Sequence, residues 1–313
     1  MTMTISVIIP VYNAAGFLEK AVNSAAQFEE VREIILAEDR STDGSLEICR
    51  KLASEIPKVK LFQHPNGENR GAGASRNLGI DKATSDFIAF LDADDYYLPN
   101  RFDAEKELFN EAHIDGVFGA IGTEYLTEKG KQEFESKFKE VSLSTVNYPA
   151  EGEEVFRGLL SLTPKTFGTS FHLNSLTLRR SSLESHKIRF NESLRVHQDT
   201  ELIIRLAYHC CLKTGIIDRA IAIRGIHDDN RITKIIRYSP QYNQRQHLYW
   251  GSLYRWAVAN KIPDEYKKRI YLVYKSFDLS LKKGLSKYGS ILLEILKNPE
   301  IAKTKYRFTY YNR

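Results

Sequence analysis

Five short apolar runs recur through the first 125 residues, and the segments between them follow a different periodicity. That alternation restricts the fold more than any other feature of the chain. The runs are ISVIIPVY (5–12), EIILAE (33–38), VKLFQH (59–64), DFIAFLD (86–92) and GVFGAIGTEY (116–125). Between them lie helical patterns: GFLEKAVNSAAQF, DGSLEICRKLASEI, ASRNLGIDKA and PNRFDAEKELFNEA. Strands alternating with helices of this length argue for crossover units and a mostly parallel sheet. Such strands are covered on both faces, which accounts for runs that are continuously apolar.

In open α/β sheets, ligands bind at the carboxyl ends of strands. The residues just past the runs are therefore the first candidates: Pro10 to Asn13, Asp39 to Asp43, the loop HPNGENRGAGASRN, and Asp92 to Asp95. Two carboxylates separated by one residue, as in DADD, can face one small volume and hold Mg²⁺ or Mn²⁺, with substrate phosphates completing the shell. The alternative is a capped turn leading to the helix after Pro99. Asp39 is an acceptor able to take N–H donors from a nucleobase edge, although the Ser, Thr, Asp and Gly around it are also ordinary turn material. Gly71, Gly73 and Arg76 suit a phosphate or ribose contact. The loop lacks the last glycine of a dinucleotide fingerprint, so an NAD site is a weak reading.

Beyond residue 126 the pattern weakens. TEKGKQEFESKFKE reads as a charged, solvated stretch, and TPKTFGTSFHLNSLTLRR mixes turn residues with a strand. His172 and Asn174 in that stretch suit core or turn roles on spacing alone. DTELIIRLAYHC is apolar at helical spacing with Asp199 at its start, where an Asp often serves as a cap. His227 follows in IHDDNR; a lone His is more often structural than a ligand.

The 42% hydrophobic content of the 313 residues supports an ordinary globular core. No run approaches the ~20 apolar residues that cross a bilayer. The start, MTMTISVIIPVYN, lacks the features of a signal peptide, so a cytoplasmic location is the expectation. Cys49, Cys210 and Cys211 read as reduced, structural thiols. Charge divides the chain: residues 231–313 hold 18 Lys and Arg against 5 Asp and Glu, whereas the first 230 hold 27 against 35. The basic segment, rich in aromatics such as Tyr249, Trp250, Tyr254 and Trp256, reads as several helices. It fits a solvated appendage, a self-association surface giving a homo-oligomer, or a platform for an anionic partner such as the inner face of a membrane. It carries no recognisable nucleic-acid motif, so a nucleic-acid partner is not expected.

Taken in order, SVIIPVYN, EDRSTDGS, GAGASRNLGI, FLDADDYYLPNRF and HQDTELIIRL resemble the family-2 glycosyltransferases of the inverting GT-A type, over about residues 4 to 230. The resemblance implies a GT-A catalytic domain over 1–230, with a nucleotide-binding half (about 1–125), an acceptor half (about 126–230) and a helical C-terminal region at 231–313. It implies that Pro10, Tyr12 and Asn13 hold the nucleotide, with Tyr12 stacking on the base. Asp39 would read the base and Arg76 approach the phosphates. Asp92 and Asp94 match the aspartate-any-aspartate motif for ribose and metal, with Asp95, adjacent to them, and His172 and Asn174 as acceptor-side candidates. Asp199 matches the general base, and His227 the later histidine that completes a metal shell in some members. The implied donor is a nucleotide-diphospho-sugar, first of all a UDP-sugar. The implied acceptor is a glycan or lipid-linked glycan, and the cofactor Mn²⁺ or Mg²⁺. The chain departs from the family in having Glu38, Asp39 and Arg40 for Asp-Asp-Gly, and Gln198 before Asp199 for Glu-Asp. An NDP-sugar-forming nucleotidyltransferase would carry a Gly-rich loop after the first strand, where only Gly16 stands. A non-catalytic module would be expected to lose Asp94 or Asp199, and both are present.

Overall fold

The first apolar run becomes β1 (Ile5–Val11), in which six of seven residues are buried, as a strand covered on both faces requires. The computed structural model describes residues 3–136, 143–168, 170–228 and 236–304. In the first part of the chain α1 (Leu18–Ala26), β2 (Val31–Glu38), α2 (Ser45–Glu55), β3 (Val59–Gln63), α3 (Ala72–Lys82) and β4 (Phe87–Phe90) follow in the expected alternation. Then come β5 (Tyr96–Tyr97), α4 (Asp103–Leu108), β6 (Gly116–Phe118), β7 (Ala120–Tyr125), α5 (Glu128–Glu135), α6 (Glu153–Leu159), β8 (Leu176–Arg179), α7 (Arg180–Ser185), α8 (Gln198–His209), β9 (Leu212–Thr214) and β10 (Ala220–Ile226).

Seven strands form one sheet in the order β3-β2-β1-β4-β8-β6-β9. Its pairs are parallel except where β8 runs antiparallel to both β4 and β6. A smaller sheet has the order β5-β10-β7, with β10 antiparallel to β5 and parallel to β7. The main core packs α1, through Leu18, Ala21, Val22 and Ala25, against β1 and β2. Each fully buried Leu or Ile there contributes about 2 kcal/mol. Burial pushes the Cys49 and Cys210 thiols up to about 12, so both stay protonated at neutral pH.

Two segments differ from their sequence reading. GVFGAIGTEY is two strands in two sheets, because the chain leaves the large sheet at Gly119. A Cβ there would lie 2.6 Å from the carbonyl oxygen of Ile216, a backbone approach only glycine permits. TEKGKQEFESKFKE contains a helix, α5, capped by Thr127, whose Oγ1 accepts from the Gly130 N–H at 3.0 Å. Phe134 on that helix is buried, which a purely solvated stretch would not provide. Residues 137–142 lie outside the described residues.

The chain divides into two compact units, Met1–Arg195 with Leu202–Thr233, and Val196–Glu201 with Lys234–Arg313. The second contains α9 (Pro240–Ala259), α10 (Asp264–Leu281) and α11 (Gly284–Lys297). Ser239 caps α9 and Pro240 occupies its first turn, where a missing N–H costs nothing. α9 and α10 bury Leu253, Ala257, Ile270, Val273 and Phe277, with Tyr254 stacked on Tyr274 at 5.6 Å.

Candidate active site

The loops after β1 and β2 are tied to each other by short polar side chains. Asn13, at φ 50°, accepts the Thr42 N–H on Oδ1 at 2.8 Å, while its own N–H donates to Ser41 Oγ at 3.1 Å. Asp43 accepts the Ala15 N–H at 3.1 Å, and Glu38 accepts the Ser41 N–H at 2.5 Å. Pro10 lies within β1, opposite Ala37. Beside this braced turn, Tyr12 presents a ring that is 49% exposed. Asp39 is buried, and its two oxygens accept the Arg70 and Gly71 N–H groups at 2.7 and 2.8 Å, with His64 3.7 Å away. Its carboxylate therefore shapes the start of α3.

Arg76 rides on α3, whose small residues Gly73, Ala74, Ser75 and Gly79 are all buried. Its Nη2 donates to Asp92 at 2.5 Å, and its buried Nε has no hydrogen-bond partner. A buried guanidinium donor left over after pairing is suited to a further anion.

Past β4 the carboxylates separate into distinct environments. Asp92 faces Arg76, and His172 Nε2 stands 4.0 Å from its other oxygen. Burial alone would raise the Asp92 carboxyl, but Arg76 and His172 outweigh it and hold it below the usual range. Asp94 Oδ2 lies 3.2 Å from His227 Nε2, and the His227 ring stacks on Phe17 at 4.7 Å. Asp95 is buried; it accepts the Gly225 N–H at 2.9 Å and a hydrogen bond from the Asn174 amide. Burial, then the charges of Asp94 and Asp92, hold its carboxyl well above the ordinary value. One donor group, Asp92, Asp95 and His172, places its ligand atoms within 4.8 Å of one another.

A deeper layer fixes this arrangement. Asn174, fully buried, accepts the Asp92 N–H on Oδ1 at 3.1 Å while its amide holds Asp95. Its carbonyl accepts from Arg101 Nε at 2.9 Å, and the wholly buried Arg101 pairs with Glu105 at 2.5 Å and reaches Thr177 at 3.2 Å. Arg224, on β10, adds positive charge that lowers both Asp92 and Asp95. Arg101, Arg224 and Phe17 were not legible as site residues from the sequence. The one available signal was Gly225 inside a strand, since a Cβ there would lie 2.5 Å from the Asp94 carbonyl oxygen.

Asp199 lies in the first turn of α8, one residue after the helix begins, and belongs to the second unit. Thr200 Oγ1 approaches its Oδ1 at 3.5 Å. His197, at φ 63°, stacks on Tyr249 at 5.4 Å and contacts Gln246 at 3.0 Å. Burial keeps this imidazole below its usual pKa despite the charge of Asp199.

A seven-stranded, mostly parallel sheet with an acidic cluster past β4 defines the GT-A architecture of nucleotide-sugar enzymes, with a helical C-terminal region added. Residues 6–173, more than half of the chain, match the profile of glycosyl transferase family 2, and the chain belongs to that family. It is 38% identical over 111 residues to an uncharacterized glycosyltransferase of Haemophilus influenzae, covering 35% of this chain and 44% of that protein. A GalNAc(5)-diNAcBac-PP-undecaprenol beta-1,3-glucosyltransferase of Campylobacter jejuni is 27% identical over 203 residues, 62% of this chain and 64% of the relative. Both matches thus span less than two thirds of the relative. Among solved structures, S. aureus TarS residues 1–349 with UDP-GlcNAc superposes with a TM-score of 0.62 over 96% of this chain and 81% of that one, at 20% identity, a likeness of fold.

Proposed function

We propose that the protein moves a sugar from a nucleotide-diphospho-sugar, first of all a UDP-sugar, to a hydroxyl of a glycan or lipid-linked glycan, with inversion at the anomeric carbon. One observation carries this reading: Asp92, Asp94, Asp95, His172 and His227 gather with Arg76 and Arg224 where β4 and β10 end. The family match and the names of the relatives support it.

An oxygen and imidazole donor set fits a hard divalent cation, Mn²⁺ or Mg²⁺. Asp94 and His227 would hold it, with Asp92 as a further candidate. When bound, such an ion neutralises the charge that develops on the departing nucleoside diphosphate. The chain's own groups do the rest. Tyr12 offers a stacking face to the base, and the loop held by Asp39 borders the nucleotide. Arg76, with its unused Nε, attracts phosphate. Asp92, kept ionised by Arg76, serves the ribose hydroxyls as an acceptor. Asp199 takes the proton from the attacking hydroxyl, so a single displacement needs no second catalytic carboxylate. The basic second unit meets an anionic membrane surface, as its lysine and arginine excess supports.

Donor turnover tests this. The purified full chain, given Mn²⁺ and a panel of UDP-, GDP- and dTDP-sugars, should release nucleoside diphosphate from one of them. Asp199→Asn should lower acceptor-dependent transfer by about 10²–10⁴-fold. Turnover of none of the donors, or full transfer by Asp199→Asn, would overturn the proposal.

A further inference from the structure

Helix α11 turns an apolar face outward. Leu285, Tyr288, Leu292, Leu293 and Leu296 are 60 to 89% exposed, in a chain whose other large apolar side chains are mostly covered. Successive residues of a helix are about 100° apart, so these five fall on one stripe roughly 140° wide. The rotation of the helix is fixed from the opposite side. Ile291 packs with Leu272, Leu279 and Ile301, and the buried Glu294 accepts from Tyr271 Oη at 2.8 Å and from Asn298 Nδ2 at 2.7 Å. The stripe therefore faces outward because the other side is tied down by specific bonds.

We infer that this face is the element that inserts into an anionic lipid surface, lying in the interface. This deepens the reading of the second unit as a membrane-facing surface and does not depend on sugar transfer. Charge selects the occupant. The segment from Lys282 to Lys303 carries five lysines and two glutamates. Of the glutamates, Glu294 is buried and Glu300 pairs with Lys268 at 2.6 Å. Lys283 and Lys297, exposed near the two ends of the helix, border the leucines. An anionic bilayer complements a leucine stripe with lysine ends, whereas a second copy would bring the same lysines against each other. At 14 residues, about 21 Å, α11 is too short to span a bilayer, and no described helix is long and apolar enough to cross one.

Co-sedimentation of the full chain with vesicles of neutral lipid alone, and with added phosphatidylglycerol, tests the inference. The wild type should bind the anionic vesicles. Leu292→Ser combined with Leu293→Ser and Leu296→Ser should weaken that binding at least about tenfold. These side chains are exposed, so the thermal transition followed by circular dichroism should be unchanged. Tyr288→Trp should show a blue-shifted emission with anionic vesicles only. Wild-type-like binding by the triple variant would overturn insertion while leaving a purely cationic contact standing. No binding by the wild type would overturn both. A wild-type oligomer dissociated by the triple substitution, without vesicle binding, would assign the face to a second copy and overturn the inference.

Discussion

Asn174 joins the two halves of the acidic motif: one side-chain oxygen orders the Asp92 backbone and the amide orders the Asp95 carboxylate. Asn174→Ala removes both contacts at a fully buried site, and a loss of about 1–3 kcal/mol in urea unfolding is expected, together with weaker Mn²⁺ binding by calorimetry. Behind it, Arg101→Met should cost about 3–5 kcal/mol because Glu105 is left buried and unpaired, and adding Glu105→Leu should restore much of the loss. A double variant no more stable than Arg101→Met would show that leaving Glu105 without its partner is not the source of the loss. Remote from the site, the buried Glu33 accepts from Ser6, Thr84 and Lys60. Burial alone would raise its carboxyl, yet these donors bring it down from 4.5 to about 2. A depressed folded pKa contributes stability above the unfolded value that is lost as pH falls. Unfolding free energy should therefore decline between about pH 4.5 and 2, and Glu33→Gln should flatten that decline by roughly 3 kcal/mol. Asn174 was visible in the sequence only as an acceptor-side candidate, since its partners stand about 80 positions away and no spacing rule links them.

At the scale of elements, β1, β2 and β4 read correctly because they are almost wholly buried and so continuously apolar, while β3, at the sheet edge with only Val59 buried, is legible from its place in the alternation. The run 116–125 divides because the change of sheet depends on the carbonyl of Ile216, a distant contact that leaves only Gly119 as a local trace. Gly119→Val should therefore destabilise the fold by about 1–3 kcal/mol, measured as a lower denaturation midpoint. Gly225→Ala acts at the site instead, by pressing on the Asp94 carbonyl. Its expected mark is weaker Mn²⁺-dependent nucleotide binding, out of proportion to any change in thermal stability. Helix α5 escaped the sequence reading because its buried side is only Phe134 and Gly130 and most of its other residues are charged. β10 is as long as β1, but its burial does not alternate regularly and the residues it meets come from distant segments, so Arg224 and the approach of Gly225 to Asp94 were invisible before the fold was known.

For the whole molecule, the proposed work divides by unit: the acidic first unit carries the donor-binding cluster, and the basic second unit carries Asp199 and the membrane contact. The ordered family motifs single out Asp39, Asp92, Asp94, Asp199 and His227 as candidates. The supporting residues came from segments without periodicity, which is why His172 emerged beside Asp92 and Arg101 beneath Asn174 only in three dimensions. In the function we propose, the cluster past β4 binds a nucleoside diphosphate through a divalent cation. Calorimetric titration of UDP into the full chain, with Mn²⁺ and then with EDTA, tests it most directly. Binding should be at least about tenfold tighter with Mn²⁺, and Asp94→Asn in Mn²⁺ should behave as the wild type does in EDTA. UDP binding of equal strength with and without the metal, undisturbed by Asp94→Asn, would contradict it.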